Sequence, residues 1–361
     1  MKKPTRHLRR WFPGTATVCF VAMAISQGFG QAPGNHTEAA AQSSYEIEEL
    51  PLRPLAISNS EWIAGATQDQ HAATWQRKSG LHRIALPGDL SFSEATGINF
   101  RGEAVGTATT ADSRRRAAFL FRENKVTLLS GAQSRANAIN DAGEIVGQAI
   151  PSGEKVAGPV LWKDGTLVDL HICCAAFGRA INAEGVIAGE TYDKQGRYHA
   201  FAWDAAHGVH MISGSGEQFS AAVALNDRGD VLVKATPGGV FLYSQGELYS
   251  QGELHSIDLS KATPRAMNNS GVVVGSFGPG PEAQQAFVWD KNHGLQDLNA
   301  LIPANSGWRL EVATGVNDQG EIVGWGDRGR EENVGFLLRP RKRSSGTQKL
   351  PAGTTNPSAQ K

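Results

Sequence analysis

The sequence predicts an all-β fold: a seven-bladed β-propeller of four-stranded blades, its ring closed by an N-terminal strand that completes the last blade. Three observations predict it. A small residue, an apolar residue and Asn recur along the chain, with third positions at Ser58, Asn99, Asn140, Asn182, Asn226, Asn268 and Asn317; successive steps are 41, 41, 42, 44, 42 and 49 residues. Each unit reads as four short apolar strands separated by turns, and a period of that size with four strands is the mark of a propeller blade. The seventh copy stops one strand short, after Gly335-Phe336-Leu337-Leu338, while an orphan strand, Tyr45-Glu46-Ile47-Glu48-Glu49-Leu50, stands ahead of the first copy.

Within the unit each element has its own reason. The first strand ends on Ala or Gly, then Ile, Leu, Met or Val, then Asn, as in Ala138-Ile139-Asn140. The small residue suits an innermost strand where blades converge, and the apolar one after it points to the other face and packs between sheets. Three residues past the Asn stands Gly102, Gly143, Gly185, Gly229, Gly271 or Gly320, with Glu61 in the first copy. An Asn/Asp-rich turn closing on a positive-φ Gly makes a tight hairpin.

The second strand ends in Gly106, Gly147, Gly189, Gly275 or Gly324; blade five has Val233 instead. The third carries large aromatics (Phe119-Leu120-Phe121, Phe201-Ala202-Trp203, Phe287-Val288-Trp289) expected to wedge between neighbouring sheets. A fourth follows a short turn, as at Gly208 to Ile212 and Gly294 to Leu298. Pairing Tyr45–Leu50 with Phe336-Leu337-Leu338 removes two open edges that otherwise invite aggregation.

Outside residues 45–339 the composition changes. Lys2, Lys3, Arg6, Arg9 and Arg10 precede an apolar run from Ala16 to Ile25, too short to span a bilayer comfortably. Residues 1–32 are read as an export signal, cleaved near Gly30-Gln31-Ala32 or after Ala22-Met23-Ala24. Arg9-Arg10-Trp11-Phe12 partly matches a twin-arginine signal, interrupted by Pro13. Residues 33–44 read as a linker and 340–361 as a disordered basic tail. The expectation is a periplasmic or extracellular monomer with no stable membrane insertion after cleavage. Cys173 and Cys174, being adjacent, read as two thiols rather than a strained bridge. Ser244 to Tyr249 is nearly duplicated by Ser250 to His255, lengthening a hairpin in blade five.

Taken together, the repeated Ala-Ile-Asn-Asp-x-Gly-x-Ile-Val-Gly and His199-Ala200-Phe201-Ala202-Trp203 resemble the bacterial extracellular HAF repeat over roughly residues 45–339. The resemblance implies an exported β-propeller-like protein and supplies no activity or catalytic residue. Other copies read Ala117-Ala118-Phe119, Gly158-Pro159-Val160 and Gln285-Ala286-Phe287, so the His is not a shared chemical group.

Charge excludes one class of partner. Lys+Arg and Asp+Glu are both 35, leaving no global electrostatic case for nucleic acid. No His/Cys cluster has zinc spacing, the Asn-Asp turns lack the carboxylate series of a calcium loop, and no nucleophile elbow or phosphate loop is present, so no metal or cofactor is expected. His71 and His199 share one strand slot and read as satisfied histidines.

Binding is expected on the face opposite the Asn hairpins, where loops vary most. The candidates are Trp308, Arg309 and Glu311 in the loop leading into blade seven, and Trp325, Asp327, Arg328 and Arg330 in its next loop. Aromatic-plus-Arg surfaces are common hot spots. Arg135, Arg179 and the run Arg114-Arg115-Arg116 add positive charge near the axis. The function expected is a non-catalytic scaffold for a protein or glycan, with a polysaccharide hydrolase or lyase using channel acids as the alternative.

Overall fold

A computed structural model describes residues 43–341, apart from 131–132, 152–153, 155, 173–175, 213–218, 237–238, 245–252, 260 and 281–282. The export signal, most of the linker and the basic tail, the Cys173-Cys174 pair and most of the blade-five duplication lie outside the described residues.

Seven four-stranded antiparallel sheets form the blades of the propeller. The first strands of blades one to seven are Arg53–Ile57, Leu90–Ile98, Arg135–Ile139, Ala176–Ile181, Phe219–Leu225, Ala262–Met267 and Trp308–Val316. In six blades the four strands follow in sequence order. The last sheet instead runs Trp308–Val316, Ile322–Arg328, Glu331–Pro340 and then Tyr45–Leu50. The orphan strand pairs antiparallel with the third strand, Glu49 opposite Phe336, Glu48 opposite Leu337 and Ile47 opposite Leu338. One side chain ties this closure: Arg339 reaches Glu48 on the orphan strand at 2.5 Å, Glu321 in its own blade at 3.0 Å and Glu61 in blade one at 3.3 Å.

Every first strand carries a bulge at the same place, and those of blades two and seven carry a second one nearer their start. The extra residues are Leu55, Thr96, Asn137, Arg179, Val223, Arg265 and Thr314. A bulge bends and twists the strand locally and re-aims a side chain. It also explains the second-strand glycine. A Cβ on Gly65, Gly106, Gly147, Gly189, Gly275 or Gly324 would stand 1.9–2.2 Å from the carbonyl oxygen two residues before the bulge. On Gly189, Gly275 or Gly324 it would also strike the ring of Phe201, Phe287 or Phe336. Those phenylalanines and Phe119 are fully buried. Blade five, with Val233 in that place, leaves Phe241 only half-buried.

The small residue of the motif is a matter of room, as expected. A Cβ on Gly97 would lie 3.1 Å from Ala138 Cα in the next blade. The apolar residue packs between sheets and also plugs the axis: Ile57, Ile98, Ile139, Ile181, Leu225, Met267 and Val316 together line a cavity of about 180 Å³.

The Asn does more than end the strand. Its Oδ1 accepts from backbone amides two and four residues on, as Asn140 does from Ala142 and Glu144, closing the hairpin. Its Nδ2 donates to the carbonyl of the equivalent residue one blade later, at six of seven junctions: Asn99 to Asn140, Asn140 to Asn182, Asn182 to Asn226, Asn226 to Asn268, Asn268 to Asn317 and Asn317 to Ser58. Ser58 has no amide to continue the ring, and the seventh junction is bridged instead by Ser60 Oγ, which donates to Phe100 O.

Candidate functional site at the loop-face channel mouth

The two ends of the axis differ in chemistry. At the hairpin end Asn59, Asp141, Asp227, Asn269 and Asp318 surround the plugged cavity. Most are engaged blade to blade: Asp227 N donates to Asn269 Oδ1, Asn269 N to Asp318 Oδ1 and Asp318 N to Asn59 Oδ1. This end is a satisfied, acidic seam.

At the loop end a cavity of about 730 Å³ opens between the inner strands of blades one to three and the second hairpin of blade seven. Small-molecule and peptide sites fall in this size range. Its walls include Arg53, Arg116 and Arg135, the carboxylates Glu94 and Glu332, the aromatic Phe92, and a run of Thr, Ser, Asn and Gln side chains. Phe92 is 40% exposed. Arg53, Glu94 and Arg135 occupy one slot in three successive blades, two residues before the bulge. Thr96 and Asn137 at the bulge itself donate to Ala136 O and Gly178 O of the next blade, fixing the wall.

The arginines here are crowded rather than paired. Burial lowers the Arg135 pKa, Arg116 and Arg179 lower it further, and only Glu94 opposes them. Burial and then Arg53 do the same to Arg265 at the blade-six bulge. A guanidinium stays cationic through such shifts, so the cost is carried first as lost hydration and then as like-charge repulsion. None of Arg53, Arg116, Arg135 or Arg265 has a carboxylate within 4.0 Å among the described residues.

The residues expected from sequence divide. Arg135 stands in this cavity. Arg179 does not supply free charge: its Nε donates to both oxygens of Glu190, at 2.9 and 3.0 Å. Of the blade-two run, Arg115 pairs with Asp89 at 2.9 Å, Arg114 stands 3.6 Å from Asp112, and Arg116 alone is unpaired.

In blade seven Trp308, Arg309 and Glu311 lie on a nine-residue strand and Trp325, Asp327 and Arg328 on its neighbour, Ile322–Arg328, not on loops; Arg330 alone of the group is in a turn. A second bulge at Glu311 hides the strand by interrupting its alternation. Arg309 is held by Asp327 at 2.8 Å and by Glu311, and Arg328 by Glu49. Burial first, then Asp327 and Glu332, raise the Glu311 pKa against the pull of Arg309. Trp308 packs edge-on to Phe336 at 6.2 Å on the side of blade six, with the Arg328 guanidinium over it at 5.8 Å. Trp325 faces blade one under Arg53, also at 5.8 Å. The two tryptophans therefore lie on opposite sides of their sheet. Arg53, Phe92 and Glu94 were missed, whereas Arg116 stands in the cavity as one of the run expected near the axis; aligning the copies on the bulge would have placed Arg53 and Arg135 in one column.

A second surface lies between blades four and five. Phe177, Tyr192, Tyr198 and Phe219 contact in series, with centroids 6.1, 5.9 and 5.0 Å apart. All four are half-buried. His199 beside them is held by Asp193 at 3.1 Å, and His71 stands 3.8 Å from Asp69.

Among the described residues no group of three or more His, Cys, Asp or Glu is placed to hold a metal ion, and no helix is long and apolar enough to cross a membrane. No family model and no curated protein matches the chain, so the HAF-repeat resemblance gains no support there. Solved structures do match in fold. The WD40 β-propeller domain of Doa1 has a TM-score of 0.53 at 13% identity, over 83% of this chain and 97% of that one. The β-propeller domain of the Trilobed protease from Pyrococcus furiosus, described as having an open velcro topology, has 0.53 at 8% identity, over 80% and 95%. YCF48 bound to D1 peptide has 0.50 at 12% identity, over 84% and 97%. At these identities the likeness is one of fold.

Proposed function

We propose that this chain is an exported, non-catalytic binding scaffold that receives a segment of a partner protein at the loop-face mouth of its axial channel. The observation that carries the reading is the 730 Å³ cavity whose Arg53, Arg116 and Arg135 have no carboxylate within 4.0 Å among the described residues and whose Phe92 is left exposed. Leaving cations and an aromatic ring uncovered in one concave place costs stability, and it is the composition of a hot spot. The protein-binding class agrees with what propellers of this shape do, YCF48 with its D1 peptide being one.

A photo-crosslinking amino acid at Phe92, on the loop face, and at Phe100, 47% exposed on the hairpin face, tests it. With the purified protein in cell-envelope extract, adducts form from position 92 and not from 100. Equal or absent labelling sinks the reading. Export is tested separately, by fractionating cells that make the full chain; retention of the whole chain in the cytoplasm rules it out.

The row Phe177-Tyr192-Tyr198-Phe219 favours a second reading, a glycan stacked on aromatic faces. Glycan-array signal lost in Tyr198→Ala supports it. Turnover of any polysaccharide that stops in Glu94→Gln overturns the non-catalytic assignment.

A further inference from the structure

We infer that the segment held in the cavity is acidic: an extended peptide that places one side-chain carboxylate between Arg116 and Arg135 and a second on Arg53. This rests on the binding reading above and names the ligand class for the same site. The first argument is the protein's own habit. Elsewhere among the described residues most arginines are neutralised, Arg83 by Asp69, Arg122 by Glu103 and Arg228 by Asp230, each at 2.7–2.8 Å. Among the described residues the exceptions are Arg53, Arg116 and Arg135 in the cavity, Arg265, and Arg330 exposed in the blade-seven turn; for Arg135 and Arg265 the first charged neighbour is another guanidinium. A ligand carboxylate relieves that repulsion, and the planar guanidinium receives it bidentately.

The arrangement also discriminates among anions. Arg53 stands on blade one and Arg135 on blade three, with Glu94 at the same slot of blade two between them, and Arg116 shares the Arg135 side, so the cavity's free cations form two groups rather than one. Two groups ask for two carboxylates, which a lone chain terminus does not supply. Glu94 and Glu332 stand in the same wall. A polyuronate or phosphate-rich polymer would drive negative charge against them, while a peptide with spaced acids need not. The intervening Ser93, Thr96, Thr107, Thr109 and Asn137 offer hydrogen bonds suited to a peptide backbone, and Phe92 offers an apolar contact.

The experiment selects binders to the full chain from a random peptide library with amidated C-termini, then measures affinity by calorimetry. The expected result is enrichment in Asp and Glu, affinity falling with added salt, and a loss of about ten- to a hundredfold in Arg135→Gln and in Arg53→Gln with no fall in melting temperature. Arg135→Lys, which keeps charge without the fork, recovers only part of it. Inorganic phosphate and oligogalacturonate compete more weakly than the acidic peptide; stronger competition by either overturns the inference. Selected peptides without acid enrichment that still lose binding in Phe92→Ala overturn the inference and leave the binding reading standing. Peptides indifferent to Phe92→Ala and to every arginine change overturn both.

Discussion

The side-chain amide of Asn140 donates a 3.0 Å hydrogen bond to the backbone carbonyl of Asn182, the same residue one blade on. Because Asn140 Oδ1 meanwhile accepts from Ala142 and Glu144, one buried side chain closes its own turn and fastens the next sheet. A buried acceptor left unsatisfied costs about 1–3 kcal/mol. Asn140→Ala is therefore expected to lower stability by about 2–3 kcal/mol. Asn140→Asp should be worse at neutral pH, since it sets a carboxylate against Asn182 O and the Glu144 carboxylate, 2.8 Å from the present Nδ2. The new carboxyl would have a folded pKa raised above its unfolded value near ~3.9. The variant would then be least impaired in acid and lose ground as pH rises through the folded pKa. Urea melts from pH 4 to 8 check this; equal losses at both ends contradict it.

Gly189 illustrates a glycine required by space rather than by φ. A Cβ there would stand 1.9 Å from Phe177 O and 2.9 Å from Phe201 Cζ. Gly189→Ala must shift an inner strand or the buried ring, an overpacking cost of about 3 kcal/mol. The reverse change, Val233→Gly in blade five, should destabilise too, by about 2 kcal/mol, because Val233 is buried and its loss leaves a cavity. Urea midpoints at constant m check both; a neutral Gly189→Ala would refute the steric account.

How much of this was legible beforehand follows from what repeats. The blade count, the closing strand and the Val233 exception rest on residues recurring with the period, and packing imposes them on every copy. The bulge did not show in the sequence, since one extra residue per strand resembles imperfect alternation, and with it went two columns, one holding Arg53 and Arg135 two residues before the bulge and one holding Arg179 and Arg265 at it. Free and neutralised arginines also look alike in sequence. Arg179 is neutralised because Glu190 folds back to meet it, and nothing in the residue type marks it off from Arg135. The six-junction Asn ring is a long-range relation between copies, which the turn chemistry of one copy does not contain.

Ring closure should weaken in acid. Burial alone would raise the Glu48 pKa, but hydrogen bonds from Arg77 and Arg339 outweigh it and the net direction is down from 4.5. Glu103 and Glu144 are lowered likewise, by Arg101 and Lys163 against burial. A carboxyl with a depressed folded pKa stabilises fully above its unfolded value and loses that contribution as pH falls through the folded one. Stability should accordingly fall below about pH 4.5, and Glu48→Gln should flatten that decline. Hydrogen exchange should report Tyr45–Leu50 opening before the inner strands as acid is added. An unchanged slope in Glu48→Gln would show that the closure is held by its backbone ladder alone.

The two tryptophans of blade seven should separate cleanly. Trp308 is wedged against Phe336 and covered by Arg328, so Trp308→Ala removes core packing, at about 3 kcal/mol for a large aromatic, and leaves ligand affinity nearly unchanged. Trp325 instead seats the Arg53 guanidinium on the rim of the cavity. A cation over an aromatic face contributes about 0.5–1 kcal/mol at an exposed site. Trp325→Ala should then unseat Arg53 and weaken binding of an acidic peptide a few-fold, while Trp325→Phe retains most of it. Calorimetric affinity and urea stability measured on the same preparations decide the matter. If Trp308→Ala abolished binding with the fold intact, the contact surface would have to move from the channel mouth to the outer side of blade seven.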